Sequence, residues 1–383
     1  MMFIEDRMLP DTPAEQARNR LSTRLHRRGL LGAAGLAGLS LPLMGFSPRA
    51  GGPGAELDAL LRDTPICRAS APGVAPGTAP GTPLRKLTLA WNATAICTSP
   101  VAVAQKQGIL AKHGLEVEFV NFGSSTEALL EAIATRKADA GVGMALRWLK
   151  PLEMGFDVKI TGGTHGGCMR LIGDPAAGVT GDVASLRGKT IATADMGGAD
   201  KNFFSMLLKR RGIDPDRDVT WKVFPAHVFG LALERGEAQA VSGGDPIAWL
   251  LQRDRKLVEV ATNLSGEWAS RACCIIGVSG ALVKNEPQVA AALTRSLLEA
   301  QDLAAHDPSV AVDTFLTYAP ASTSRDDLIA MMRSHTHGHH PAGLAIRQEI
   351  ELYTEELKSV GVMRAGTDPK RFAERVTANV LGV

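Results

Sequence analysis

With 383 residues, the chain is longer than one compact core usually organises, and it reads as two lobes once a leading segment is set aside. It is 45% hydrophobic and 21% charged, and beyond Pro83 its basic and acidic residues balance at 33 each. That neutrality, with 5% aromatic residues and five cysteines lacking any C-x-x-C pair, excludes a nucleic-acid or anionic-membrane face, a coiled coil, a disordered chain and a zinc ribbon.

The leading segment carries Arg27-Arg28-Gly29-Leu30-Leu31 followed by GAAGLAGLSLPLMGF, a paired-arginine region joined to a mildly apolar run. The run is short of the ~20 strongly apolar residues of a spanning helix. Residues 1–50 therefore read as a signal segment that resembles a twin-arginine export signal, with an uncleaved membrane anchor as the alternative. Residues 51–83, ending in ASAPGVAPGTAPGTP, have the Pro/Gly/Ala composition of a linker that cannot bury enough apolar area to order itself.

From residue 84 onward, strand-like runs alternate with helical patterns. A strand is predicted at 86–92 (KLTLAWN), a helix at 100–113 ended by Gly114, and a strand at 116–122 (EVEFVNF). An amphipathic helix follows at 124–137, then small-residue strand 138–144 (ADAGVGM) and strand 157–163 (DVKITGG). The same grammar returns about a hundred residues later, with strands at 190–195, 219–225 and 238–243 and helices at 199–211 and 228–235. The echo extends to detail: a Gly-Ile pair (Gly108-Ile109, Gly212-Ile213) precedes a β run in each half. An internal repeat of this kind predicts two similar α/β lobes, each a parallel sheet with crossover helices. Ligands of open α/β sheets sit beyond the strand carboxyl ends, so the expected architecture is a clamshell with a cleft between the lobes.

The segments KLTLAWN, VAVAQKQGILAKHGLEVEFVNFGSSTEALLEAIATRKADAGVG, DVASLRGKTIATADMGG and CCIIGVSGALVKNEPQVAAAL resemble those of periplasmic substrate-binding proteins of ABC importers. The similarity is to the nitrate/sulfonate/taurine/bicarbonate group, whose domain is shared with thiamine-pyrimidine synthase-like proteins. It implies a type II periplasmic-binding-protein clamshell with two hinge crossovers. Residues 84–164 and 272–383 would form the first lobe and 165–271 the second, with hinge strands near 168–173 and 273–279. It also implies a small oxyanion ligand, a permease partner in the inner membrane and no cofactor, and the helices after Glu286 would pack on the first lobe.

Cleft candidates follow from position at predicted strand ends. In the first lobe these are Trp91, Asn92, Ala93, Ser124, Ser125, Thr126, Gly143, Met144, His165 and Gly166. The hydroxyls of residues 124–126 open a helix and would either cap it or hold an anion. In the second lobe Met196, Gly197 and Gly198 precede a helix, and Asp245 ends a strand as either a ligand contact or a helix cap. Trp91 would stack on a ligand or pack the core. Because Asp195 and Asp245 stand at strand ends where no basic residue was evident, a neutral heterocycle, an amine or a metal complex stays open beside the anion.

Cys97, His165, Cys168, Cys273 and Cys274 fall in segments directed at the cleft or hinge, as buried thiols, a disulfide or a metal site. The tract Ser334-His335-Thr336-His337-Gly338-His339-His340 is a second metal candidate through His335, His337 and His339, or else a helix end. No G-x-S-x-G, P-loop or H-E-x-x-H occurs, so the leading expectation is a receptor that captures a small molecule. The alternatives are a thiamine-pyrimidine synthesis enzyme and a ligand sensor.

Overall fold

The computed structural model describes residues 83–123, 125–319, 323–336 and 338–383. The paired-arginine segment, the linker through residue 82, Ser124 and His337 lie outside the described residues. The chain order begins β1 (Arg85–Trp91), α1 (Pro100–Lys106), α2 (Ile109–Lys112), β2 (Leu115–Asn121), α3 (Thr126–Ala134), β3 (Ala140–Met144), α4 (Ala145–Glu153) and β4 (Val158–His165). It continues with β5 (Met169–Gly173), β6 (Thr190–Thr193), α5 (Ala199–Arg210), β7 (Thr220–Val223), α6 (Phe229–Glu234), β8 (Ala240–Gly244), α7 (Ile247–Arg255) and β9 (Val258–Thr262). The last strand, β10 (Cys274–Ser279), leads to α8 (Gly280–Asn285), α9 (Pro287–His306), α10 (Pro308–Tyr318), α11 (Arg325–Ser334), α12 (Gly343–Ser359) and α13 (Pro369–Val376).

Two five-stranded sheets result, β2-β1-β3-β10-β4 and β7-β6-β8-β5-β9. In each, four strands run the same way and one strand from the opposite side of the hinge, β10 or β5, inserts antiparallel. The repeat read from sequence is thus a repeat of sheet topology. The sheets are joined twice, by β4 into β5 and by β9 into β10, which is the two-lobed architecture with two crossovers that the resemblance implied. β10 is buried along its whole length, as a central strand covered on both faces must be, whereas edge strand β2 alternates buried apolar residues with Glu116 and Glu118.

The poverty of side chains in β3 has a packing cause. The Trp148 indole of α4 packs against the sheet, and a Cβ built on Gly143 or Gly277 would come within 2.5 Å and 2.3 Å of it. Only hydrogen at those two positions leaves room for the ring.

Three expectations are corrected. The single helix expected over 100–113 is two, because Gly108 adopts φ +69° and breaks the α1 ladder. Helices α4 and α7 and strand β9 were not anticipated. The C-terminal helices do not all stay with the first sheet. α9 packs against α1 and β4 through Ala290, Leu293, Leu297, Ala300 and Ala304, a stripe of three- and four-residue steps, but α12 also reaches α5 of the second lobe. Among the described residues no helix is long and apolar enough to cross a membrane.

Candidate ligand-binding cleft

The carboxyl ends of β1, β3 and β8 converge on a cavity of about 250 Å³ between the two sheets. The first lobe lines it with Asn92, Thr126, Met144 and Arg147, the second with Asp200, Gly244 and Asp245. Cys97, Cys168 and Cys274 complete the wall where the crossovers meet. The volume suits a small molecule.

Arg147 is the cationic group of this wall and the residue that sequence reasoning missed. It stands in the first turn of α4, three residues beyond the end of β3. Its side chain is 19% exposed and its Nη2 donates to Asp195 of the second lobe, with Glu127 3.7 Å away. Its Nε is buried and has no partner among the described residues. A buried guanidinium N–H without an acceptor is costly, and Arg147 is the group of this wall whose charge suits an oxyanion.

Asp245 is fully buried on the opposite side, and its charge is already engaged. Arg170 Nε donates to both carboxylate oxygens at 3.1 Å, His335 Nε2 lies 2.9 Å from Oδ2, and the Trp249 backbone N–H donates to Oδ1 at 3.1 Å. Arg170 in turn reaches Glu259 and the Ser334 hydroxyl. Asp245 thus caps α7 and anchors a network that ties β5 to α11, so its carboxylate is not free to receive a cationic ligand. Asp200, also on the wall, accepts from the Ser242 hydroxyl at 2.8 Å, and burial raises its pKa despite that bond.

Four thiols gather at the junction of the crossovers. Cys97 sits in the short 3-10 turn after β1, Cys168 between β4 and β5, and Cys273 and Cys274 at the start of β10. All four are buried and unbridged, with Sγ atoms 3.9 Å apart for Cys97 and Cys274 and 3.6 Å for Cys168 and Cys273. Hydrogen bonds from Cys168 and Cys274 draw the Cys97 and Cys273 thiols well below their ordinary range and push the two donors up. His165, 2% exposed at the end of β4, faces this group, and neither ring nitrogen has a partner among the described residues. Burial disfavours a charge on that imidazole, but the Cys97 and Cys273 sulfurs outweigh it and raise its pKa.

The expected residues divide as follows. Asn92, Thr126, Gly143, Met144 and Asp245 reach the cavity, and Ser125 makes no side-chain cap to α3. Trp91 is buried against Phe119 and edge-on to Tyr318, so it packs the core. Ala93 is buried away from the wall. Gly166 and Gly167 serve close approach, since a Cβ there would fall 2.1 Å from Thr336 Oγ1 and 2.2 Å from the Asn263 carbonyl oxygen. Met196 is half-exposed, and Gly197 and Gly198 shape the turn into α5, where the Gly197 N–H donates to Asp195. The histidine tract disperses: His335 faces Asp245, His339 pairs with Glu349 at 2.6 Å, and His340 Nδ1 meets the Thr164 carbonyl at 2.7 Å.

Two antiparallel-inserted sheets facing each other across a cavity, joined by two crossovers, define the periplasmic-binding-protein fold. The chain belongs to the NMT1-like family, whose profile matches residues 81–314, more than half of the sequence. Solved structures support the same fold. The periplasmic aliphatic sulphonate binding protein SsuA from Escherichia coli matches with a TM-score of 0.63 at 12% identity, over 77% of this chain and 92% of that one. The alkanesulfonate-binding protein SsuA from Xanthomonas axonopodis pv. citri, bound to MOPS, gives 0.62 at 16% identity over 76% and 99%. The periplasmic nitrate-binding protein NrtA from Synechocystis PCC 6803 gives 0.63 at 15% identity over 77% and 86%. No curated protein matches the sequence.

Proposed function

We propose that this protein is the periplasmic solute-binding component of an ABC import system and that it captures a small oxyanion of the sulfonate or nitrate class. The observation that carries the ligand class is Arg147, a guanidinium on the cavity wall whose Nε has no partner among the described residues, opposite an Asp245 carboxylate that Arg170 and His335 already engage. The sulfonate- and nitrate-binding proteins of the same fold favour that class.

The mechanism is population shift. A solute touching Arg147 and Thr126 from one lobe and Gly244 from the other favours the state in which the lobes meet. That state also gains contacts between lobes: the Asn202 amide donates to the Leu146 carbonyl at 3.1 Å, and Arg253 pairs with Asp327 at 2.7 Å. The joined lobes then present one continuous face to a permease, and export through the Arg27-Arg28 segment belongs to the same reading.

The test is a melting-point screen of purified protein against nitrate, bicarbonate, taurine-like aminosulfonates and alkanesulfonates. A true ligand at ~100 times its Kd stabilises by about 2.7 kcal/mol. An oxyanion shift that disappears in Arg147→Met supports the reading, and shifts only with amines or neutral heterocycles overturn the ligand class. Loss of periplasmic recovery in Arg27→Lys/Arg28→Lys tests the route.

A further inference from the structure

The thiol cluster is not needed to hold an oxyanion, yet its geometry is that of a ligand set. Cys97 Sγ, Cys274 Sγ and a His165 ring nitrogen all lie within 4.8 Å of one another, from three separate elements. A tetrahedral ion with bonds of ~2.3 Å to sulfur places two sulfurs about 3.8 Å apart. The Cys97–Cys274 separation is 3.9 Å. A disulfide between the same pair would need the sulfurs to close to ~2.05 Å.

His165 supplies the second, independent observation. Its ring is buried, and both nitrogens lack hydrogen-bond partners among the described residues, which costs free energy unless something absent from the protein chain completes the site. The group that engages the imidazole is the Cys97 sulfur, itself a member of the set, while the adjacent His335 spends Nε2 on Asp245.

We propose that Cys97, Cys274 and His165 bind a thiophilic divalent ion of the Zn²⁺ class at the floor of the cavity. Charge selects the class. Two thiolates, a neutral imidazole and a divalent cation sum to zero, the arrangement least penalised in a buried site. Binding releases two protons from the ligand set to solvent as the two metal–sulfur bonds form, with no change of oxidation state. Cys97 and Cys274 both border the cavity, so the ion enters from it and keeps a fourth position open towards it. The inference is independent of the oxyanion reading, because Arg147 is not among the ligands.

The test uses the full chain, reduced and handled without oxygen, titrated with Zn²⁺ and with Co²⁺ as a spectroscopic reporter. The expected result is one equivalent bound, thiolate-to-cobalt charge-transfer bands with tetrahedral d–d absorption, and release of two protons per ion. Cysteine alkylation mapped by peptide mass should show Cys97 and Cys274 protected only when metal is present. His165→Ala and Cys274→Ala should each weaken binding at least tenfold, while His339→Asn leaves it unchanged. Should either cavity variant fail to fold, the protection pattern of the wild-type chain decides. Octahedral cobalt without sulfur charge transfer, or equal alkylation of Cys97 and Cys274 with and without metal, overturns the site. So does isolation from the periplasm with Cys97 or Cys274 in a disulfide.

Discussion

The guanidinium of Arg147, on the cavity wall, donates to the carboxylate of Asp195, linking the helix after β3 to the loop after β6. Asp195 is therefore a competitor for the cation that an entering oxyanion would use. Arg147→Met should reduce oxyanion affinity about 10- to 100-fold, the worth of a charge-assisted hydrogen bond. Asp195→Asn should raise it severalfold by removing the competitor. Isothermal titration calorimetry decides both, and an Asp195→Asn protein that binds more weakly would show that the bridge acts in closure instead.

Asp245 and Arg170 form a buried ion pair, with side chains 0% and 7% exposed. Removing one partner strands the other in a low-dielectric site. Asp245→Ala should cost about 3–5 kcal/mol, towards the lower end because Glu259 stays beside Arg170. Urea unfolding of the two proteins measures the difference. A loss under about 1 kcal/mol would mean that water reaches Arg170.

The two crossovers touch at Gly167 and Asn263. A methyl group at Gly167 would meet backbone oxygen rather than a yielding side chain, and its amide already donates to the Thr336 hydroxyl. Gly167→Ala should therefore destabilise by about 1–3 kcal/mol, visible as a lower melting point. Unaltered melting would show that the hinge can part at no cost.

Two carboxylates should impose opposite pH dependences. Burial raises the pKa of Glu153, but Lys150, Thr367 and the Arg364 N–H outweigh it and hold the group below its ordinary 4.5. Its contribution is therefore complete above the unfolded value and lost as pH falls through the folded one. Glu153→Gln should melt lower at neutral pH and lose less on acidification. Burial lifts Asp200 instead, so its contribution is present at low pH and lost as pH rises through the folded value. Asp200→Asn should melt higher than wild type at neutral pH. Melting curves from pH 3 to 7 separate the two signs, and parallel curves for all three proteins would refute both assignments.

The strands were legible because each run of alternating or continuous apolar residues reports its own burial. β1, β2, β3 and β6 fall within two residues of where the pattern put them. Helix α4 was not legible from its residues: ALRWLKPLE is short and carries Pro151 within it. With α4 went Arg147. The repeat could have supplied it, since α7 follows β8 as α4 follows β3, and a basic residue one turn past a strand end is within reach of the cleft. Trp91 illustrates the converse error, because a strand-end position does not say which face a side chain takes.

What the sequence determined by itself was the succession of strands and helices, their repetition and the cleft at the strand carboxyl ends. These depend on periodicity among near neighbours and on the fixed handedness of β/α crossovers. Tertiary structure alone decided which groups in that place remain available. Asp245 is consumed by Arg170 and His335, 75 and 90 residues away, and Cys97 meets Cys274 across 177 residues. Pairing of charges and thiols is set by distances of a few ångströms between remote segments, and local pattern carries no record of those distances.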